Sequence, residues 1–265
     1  MYTLGIDIGS TSSKAVILRD GSELLAHQVI PLGTGTVGPE QALGAAFREA
    51  GIAQEDISFT VATGYGRMNY AAADAQVSEL SCHAKGIHFL LPGVRTVIDI
   101  GGQDAKARQL SETGQLLAFQ MNDKCAAGTG RFLEVMAKVL NVGIGDLGTL
   151  SAQADRPATI SNTCTVFAES EVISQLSAGV SAANIAAGIH NSVAKRVAGM
   201  ALRLGRPSAL AMSGGVALNT GVVSAMAREI GCPVQVHPLC QSAGAIGAAL
   251  FAWEKQMKKE GSSNE

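Results

Sequence analysis

Apolar and polar positions alternate on a short period at the N-terminal end. YTLGIDI (2–8) is an apolar run, KAVILRD (14–20) alternates, and ELLAHQVI (23–30) comes after an Asp20-Gly21 turn; each predicts a β-strand. The period then lengthens. PEQALGAAFREAG (39–51) predicts a helix that starts at Pro39 and stops at Gly51, SFTVATG (58–64) a strand, and SELSCHAKGIHFLL (78–91) a second helix. At RTVIDIGG (95–102) the short period returns, with AKARQL (105–110) and QLLAFQM (115–121) as partner strands. Helical spacing dominates from there: AAGTGRFLEVMAKVLN (126–141), TVFAESEVISQLSAG (165–179), AANIAAGIHNSVAKRVAGMALRLG (182–205), VALNTGVVSAMAREIG (216–231) and SAGAIGAALFAWEK (242–255). Strands PSALAMSGG (207–215) and PVQVH (233–237) interrupt them, and the polar tail KQMKKEGSSNE (255–265) is expected to fray.

Laying GIDIGSTSSK (5–14) over VIDIGGQDAK (97–106) matches an apolar strand ending in Asp-Ile-Gly, a polar turn, and a Lys leading into the next strand. An internal repeat of this kind predicts two βββαβα lobes, 1–93 and 94–265, with a cleft between them. The last helix is expected to pack back on the N-terminal lobe. No linker or low-complexity stretch separates the halves.

Composition narrows the class. Of 265 residues, 47% are hydrophobic and 16% charged, enough for a large buried core. The net charge of −2 gives no electrostatic reason to expect nucleic acid or an anionic membrane surface. No apolar run reaches the roughly 18 residues of a membrane span, and MYTLGIDIGS lacks the basic flank and apolar core of a signal peptide. Five cysteines, odd in number and widely spaced, do not form a secreted disulfide framework, so a cytoplasmic protein with reduced thiols is expected.

No GxxxxGK[ST] is present, which excludes a Walker-type loop, and no GxGxxG opens a helix after the first strand. That strand runs instead into the turn Gly9-Ser10-Thr11-Ser12-Ser13-Lys14, whose amides and hydroxyls can surround phosphate oxygens while Lys14 neutralises charge. Asp7 is placed to hold Mg²⁺ through water. Alone, the stretch reads equally as an ordinary β-hairpin. Three further segments bear on it: DIGGQD (99–104) with Gly101, Gly102 and Gln103; AMSGGVALN (211–219) with Gly214, Gly215 and Val216; and QSAGAIGAAL (241–250), which opens at Gln241. In the last, Gly244 and Gly247 permit close helix packing. Together the four resemble the phosphate-1, phosphate-2, adenosine and connecting motifs of the acetate and sugar kinase/Hsp70/actin superfamily, from about residue 4 to residue 252. The resemblance implies an α/β, actin/Hsp70/sugar-kinase-like (ribonuclease H-like) ATPase that binds ATP and Mg²⁺ between its lobes. By position, Asp7 and Asp99 then flank the metal and the attacking water, Gln103 orients that water, and Asp104 is the alternative base.

Two lone cysteines precede predicted helices, in MNDKCAAGTGRFL (121–133) and SNTCTVFAESEVIS (161–174), after polar residues Asn122, Asp123 and Lys124 and Asn162 and Thr163. A helix N-terminus favours a thiolate. Isolated cysteines most often pack as small apolar residues. Read as ligands, two thiolates fall short of the four a Cys₄ cluster needs; a two-fold dimer supplies them, and four cysteines of one chain are the alternative. MNDKCAAGTGRFLE and ISNTCTVFAESEVIS, with the two Asp-Ile-Gly turns, resemble the activator component of 2-hydroxyacyl-CoA dehydratases, in a wider family with the ATPase subunits of benzoyl-CoA reductase. That resemblance implies a homodimer with one [4Fe-4S] cluster held by Cys125 and Cys164 of both subunits. It further implies ATP hydrolysis that changes the angle between helices, one electron passed to the dehydratase, flavodoxin or ferredoxin as donor, and oxygen sensitivity. A small-molecule kinase of the same fold without a cluster is the alternative function; a non-enzymatic Hsp70-like or zinc-binding scaffold is another. Cys82, Cys232 and Cys240 read as packing residues, and His27, His83, His88, His190 and His237 as structural or surface. Lys195, Arg196 and Arg203 read as a solvated helical face.

Overall fold

Alternation along the first strand, β1 (Tyr2–Ile8), sends Leu4, Ile6 and Ile8 to one face and Gly5 and Asp7 to the other. In the computed structural model, residues 1–122, 124–161, 164–207 and 209–262 are described. Asp123, Asn162, Thr163 and Ser208, which the sequence assigned to polar lead-ins and a strand, lie outside them. The chain divides into two units: Met1–Gly93 with Ser111–Leu116 and Gln241–Glu265, and Val94–Leu110 with Leu117–Cys240.

In the first unit β1 pairs antiparallel with β2 (Ser13–Arg19), which pairs with β3 (Glu23–Ile30) across a turn where Asp20 and Gly21 both take positive φ. β1 also pairs parallel with β4 (Ile57–Thr63), and a two-residue β5 (Ala75–Gln76) completes the order β3-β2-β1-β4-β5. Helix α1 (Gly38–Ala50) has Pro in its first turn and ends at Gly51, whose φ of 67° makes a left-handed cap. It covers Leu4, Ala15, Ile17 and Ala26 with Ala42 and Ala46. Helix α2 (Glu79–Leu90) starts at Ser78, whose hydroxyl accepts from Ser81 N.

The second unit repeats the plan. β6 (Thr96–Ile100), β7 (Ala105–Leu110) and β8 (Leu116–Asn122) form the hairpins. The helices α3 (Gly130–Val139), α4 (Leu147–Ser151), α5 (Thr165–Ser177) and α6 (Ala182–Arg203) come next, then β9 (Leu210–Ser213), α7 (Thr220–Ile230) and β10 (Val234–Val236). The sheet order β10-β9-β6-β7-β8 is that of the first unit, strand for strand. Register is repeated too: Asp7 faces Lys14 as Asp99 faces Lys106, and Asp7 faces Thr63 as Asp99 faces Ser213. Where the first unit has one helix between its third and fourth strands, the second inserts α3, α4 and α5 ahead of α6. Their apolar faces, including Phe132, Leu133, Met136, Val172, Ile185 and Ile189, close on Ile98 and Ile100, each such side chain contributing about 1.5–3 kcal/mol.

The last helix, α8 (Ala243–Ser262), belongs to the first unit and lies across β1, β2 and β4 and along α2. Three bare backbones permit this approach. A Cβ on Gly5 would enter the Ala245 carbonyl, one on Gly86 the Ala243 carbonyl, and one on Gly247 the Cys82 carbonyl. Over its described part the tail is helical from Lys255: α8 runs to Ser262, because Lys, Gln, Met and Glu are good helix formers and Gln256 Nε2 donates to Glu260 Oε1 at 2.9 Å, while Ser263, Asn264 and Glu265 lie outside the described residues. Helix α3 begins four residues later than its apolar spacing predicts, since Gly128 at φ 87° and an extended Thr129 break the turn before it. The 216–231 helix likewise splits into a 3-10 turn (Gly215–Leu218) and α7, which Asn219 caps by accepting from Val222 N. β5 and α4 are too short to leave a period in the sequence. Among the described residues no helix is long and apolar enough to cross a membrane.

His190 is buried on α6, with Nδ1 3.0 Å from Ser151 Oγ and Nε2 3.2 Å from Asn219 Nδ2. Burial, and then the charge of Arg228, push its pKa down to about 4. The folded value lies below the ordinary 6.5, so the unfolded chain binds the proton first on acidification. Stability from this group is complete above pH 6.5 and is lost as pH falls toward 4, at up to about 1.4 kcal/mol per pH unit. In urea unfolding at pH 7 and pH 4.5, His190→Gln is expected to lose less stability on acidification than the parent chain, by about 2 kcal/mol.

Candidate functional site

The β1–β2 turn is closed by Gly9 N donating to Ser12 O at 3.0 Å, and Thr34 N donates to Gly9 O at 2.9 Å. This leaves Thr11 exposed and Ser10 and Ser12 half-buried at its rim. Ser13 departs from the expectation of a phosphate contact: it is buried, and its hydroxyl donates to Leu32 O at 2.8 Å. Strand parity is the reason, since Ser13 shares the α1 face with Ala15 and Ile17. Lys14 points the other way, its Nζ 3.3 Å from Asp7 Oδ2. Asp7 is 3% exposed, and a charge so buried is tolerable only when paired. Its carboxylate rests against bare backbone: a Cβ on Gly64 would strike Oδ1, and one on Gly244 would lie 2.9 Å from Oδ2. His83 Nε2 stands 4.0 Å from the same Oδ2, so a histidine that the sequence reads as structural or surface lies beside this acid. Nothing local in the sequence points to it, because its approach depends on Gly244 in a distant segment. Gln241 lies half-buried just ahead of α8 in this unit.

The second unit repeats the cradle with different partners. Gly101 N donates to Asp104 O at 2.9 Å, which leaves Gln103 exposed at the tip of the turn and Gly102 half-buried. Lys106 Nζ lies 2.5 Å from Asp104 Oδ2. Asp99 Oδ2 accepts from both Nη1 and Nη2 of Arg108, each at 3.1 Å. Gly214, at φ 82°, occupies the place of Gly64: a Cβ there would lie 2.6 Å from Asp99 Oδ1. Gly215 opens the 3-10 turn and Val216 is buried within it. Ser213 Oγ beside them is buried with no hydrogen-bond partner among the described residues. Bare glycine backbone at each acid and this orphaned hydroxyl fit a polar ligand such as a nucleotide with its cation. Arg108 escaped the sequence reading, although aligning the repeat residue by residue sets it against Val16.

This second turn is tied to the first cysteine segment. Gly130 N donates to Gly101 O and Arg131 N to Gly102 O, both at 2.8 Å, so the first amides of α3 are held by the turn's carbonyls. Cys125 therefore lies in the loop before α3 and not at the helix mouth, as the sequence predicted. Asn122 Nδ2 fixes that loop through Cys125 O at 3.0 Å and Ala127 O at 3.1 Å. The Arg196 stem covers Gly128, so Arg196 leaves the solvated face on which Lys195 and Arg203 remain. Cys164 is the N-cap residue of α5, without a side-chain capping bond. Both thiols are half-buried, whereas Cys82 and Cys240 are buried, and burial pushes the Cys82 thiol up to about 12. Cys232 is half-buried and packs on the core of the second unit. Helix α5 leaves Val166, Phe167 and Ile173 exposed, and strand β8 at the edge of its sheet exposes Leu117, Phe119 and Met121 in one row.

Comparison with known proteins bears on these features. The BadF/BadG/BcrA/BcrD ATPase family matches residues 4–252. The activator of lactoyl-CoA dehydratase from Anaerotignum propionicum is 59% identical over 259 residues, covering 98% of this chain and 100% of the relative. The structure of the activator of 2-hydroxyisocaproyl-CoA dehydratase from Clostridium difficile, with bound ADPNP, is 53% identical with a TM-score of 0.96, covering 99% of this chain and 98% of that one. A ROK family glucokinase from Streptomyces griseus is 15% identical with a TM-score of 0.60, covering 96% of this chain and 100% of that one; the likeness is one of fold. The small-molecule kinase alternative gains no support from it. Two α/β units of equal strand order, their paired Asp-Ile-Gly turns and the extent of the match place this chain in the BadF/BadG/BcrA/BcrD ATPase family, with the actin and sugar-kinase fold.

Proposed function

We propose that the chain is an ATP-hydrolysing reductive activator of a 2-hydroxyacyl-CoA dehydratase, working as a homodimer that holds one [4Fe-4S] cluster through Cys125 and Cys164 of each copy. The observation that carries this reading is the pair of hydrogen bonds from Gly130 N and Arg131 N to Gly101 O and Gly102 O. They join a turn of phosphate-binding type to the helix just beyond Cys125, so a shift of one is felt by the other. The activator relatives support the partner class, and their different acyl-CoA partners leave the acyl group of this one open.

The residues fit the implied groups. Cys125 and Cys164 are free, partly accessible thiols in one unit, and Cys164 is the N-cap residue of α5. Two such ligands per chain make a Cys₄ set only when two copies meet about a two-fold axis. The apolar rows on α5 and on the β8 edge suit a surface that a second copy covers, since exposed sheet edges and apolar patches of this kind are usually covered. When bound, the cluster supplies a one-electron donor that flavodoxin or ferredoxin can recharge.

For hydrolysis, Ser10, Thr11, Ser12 and Lys14 surround phosphate oxygens with donors, and Gly9, Gly101 and Gly102 allow close approach of the backbone. Asp7 would hold Mg²⁺, which when bound would supply charge neutralisation at the phosphates. Gln103, exposed at the tip of its turn, orients the attacking water, and Asp104, steadied by Lys106, is the alternative base. Gly214, Gly215, Val216 and Gln241 are assigned to the adenosine.

Anaerobic purification and reconstitution test the proposal. Expected are about four iron and four acid-labile sulfide per two chains, an EPR signal on reduction, ATP turnover, and ATP-dependent reduction of an added dehydratase. Zinc in place of iron, or a monomer in solution, would overturn it.

A further inference from the structure

Arg108 has 0% of its surface exposed, and arginine is almost never buried so completely unless it is paired. It directs Nη1 and Nη2 at a single atom, Asp99 Oδ2, and leaves its Nε without a hydrogen-bond partner among the described residues. The internal repeat supplies the control. Register pairs Gly5 with Val16 in the first unit and Val97 with Arg108 in the second, so Val16 and Arg108 occupy equivalent positions. Val16 is also fully buried. This slot of the fold is thus filled adequately by an apolar side chain, and a guanidinium there brings a desolvation cost that packing does not require.

The acids differ in the same sense. Lys14 reaches directly across to Asp7. Lys106, in the same register opposite Asp99, places its Nζ 2.5 Å from Asp104, while Arg108, two residues along the same strand face, grips Asp99. Arg108 thus holds Oδ2 with two donors, and Oδ1 lies over the bare backbone of Gly214.

We infer that Arg108 is a positioning residue for ATP hydrolysis, fixing the Asp99 carboxylate in the orientation the reaction needs. It acts through Asp99 and does not touch nucleotide. The inference rests on the proposed ATPase site, within which it assigns Asp99 an orienting role and leaves water activation to the groups on the exposed turn.

The test uses Arg108→Val, which installs the residue of the first repeat, and Arg108→Lys, which keeps the charge without the two-pronged geometry. ATP turnover, ADPNP affinity and thermal melting are measured for each, alone and combined with Asp99→Asn. Arg108→Val is expected to lower kcat about 100-fold, with ADPNP affinity within about threefold of the parent and Arg108→Lys recovering about tenfold of the loss. Added to Asp99→Asn, it should change kcat by less than about twofold, because both remove one arrangement. A purely packing role would lower the melting temperature without this split between kcat and affinity. Turnover within about threefold of the parent in Arg108→Val, or losses that multiply in the double variant, would overturn the inference. Should Arg108→Val fail to fold, Arg108→Lys decides alone, by a kcat loss at unchanged affinity or by none. Failure of the parent chain itself to bind ADPNP would instead sink the ATPase site and is read separately.

Discussion

Serine at position 125 or 164 is expected to abolish iron incorporation while leaving ADPNP binding within about twofold of the parent. Both thiols lie in the second unit, outside the glycine cradles around Asp7 and Asp99, so the substitution changes a ligand atom and little else. A serine hydroxyl is a poor replacement for thiolate toward iron, and in a dimer each exchange removes two of four ligands at once. Iron should fall from about four per two chains to background, with the reduced-state EPR signal lost in both variants. Cys232→Ser is the matched control: like Cys125 this cysteine is half-buried and packs on the core of the second unit, but it lies outside both proposed ligand segments, and its iron content should be that of the parent. Retention of full iron in either Cys125→Ser or Cys164→Ser would remove that residue from the ligand set.

Gly247→Val should destabilise the first unit by about 3 kcal/mol or more, the upper end of what forcing a side chain into a packed interior usually costs. Helices α2 and α8 meet backbone to backbone here, and a Cβ on Gly247 would occupy the space of the Cys82 carbonyl. Because the obstacle is main chain, no side-chain rotation relieves it. Gly86 makes the reciprocal contact against Ala243, so Gly86→Val should cost a similar amount. Gly93 has open space around its Cβ position and ordinary φ, so Gly93→Ala should stay within about 0.5 kcal/mol. Urea unfolding of the three variants checks the ranking.

Much of this architecture is legible in the sequence because hairpins advertise themselves: the spans 23–30 and 105–110 coincide with β3 and β7, and the Asp-Ile-Gly repeat marks two turns of identical register. Misreadings arise where a residue's role depends on something its neighbours do not encode. Ser13 looks like Ser12 in a polar string, yet strand parity turns it inward. Helix α3 has apolar spacing from residue 126 onward, but one positive φ at Gly128 delays its start and moves Cys125 off the helix. His83 meets Asp7 only because Gly244 has no side chain. Arg108 was readable in principle, as the one charged exception in a buried slot that the repeat fills with Val16.

The membership of α8 in the first unit has a consequence for how the chain is made. On the ribosome β1 emerges ahead of the second unit and the helix that shields it emerges behind it, so every residue of the second unit has been synthesised before Gln241 appears. Domains commonly mature from the N-terminal end during synthesis; here the order is inverted, and the later-made core is finished first. Nascent chains interrupted before Gln241 would carry one complete core beside an uncovered sheet around Gly5 and Val61, the form of the protein with the strongest claim on a chaperone.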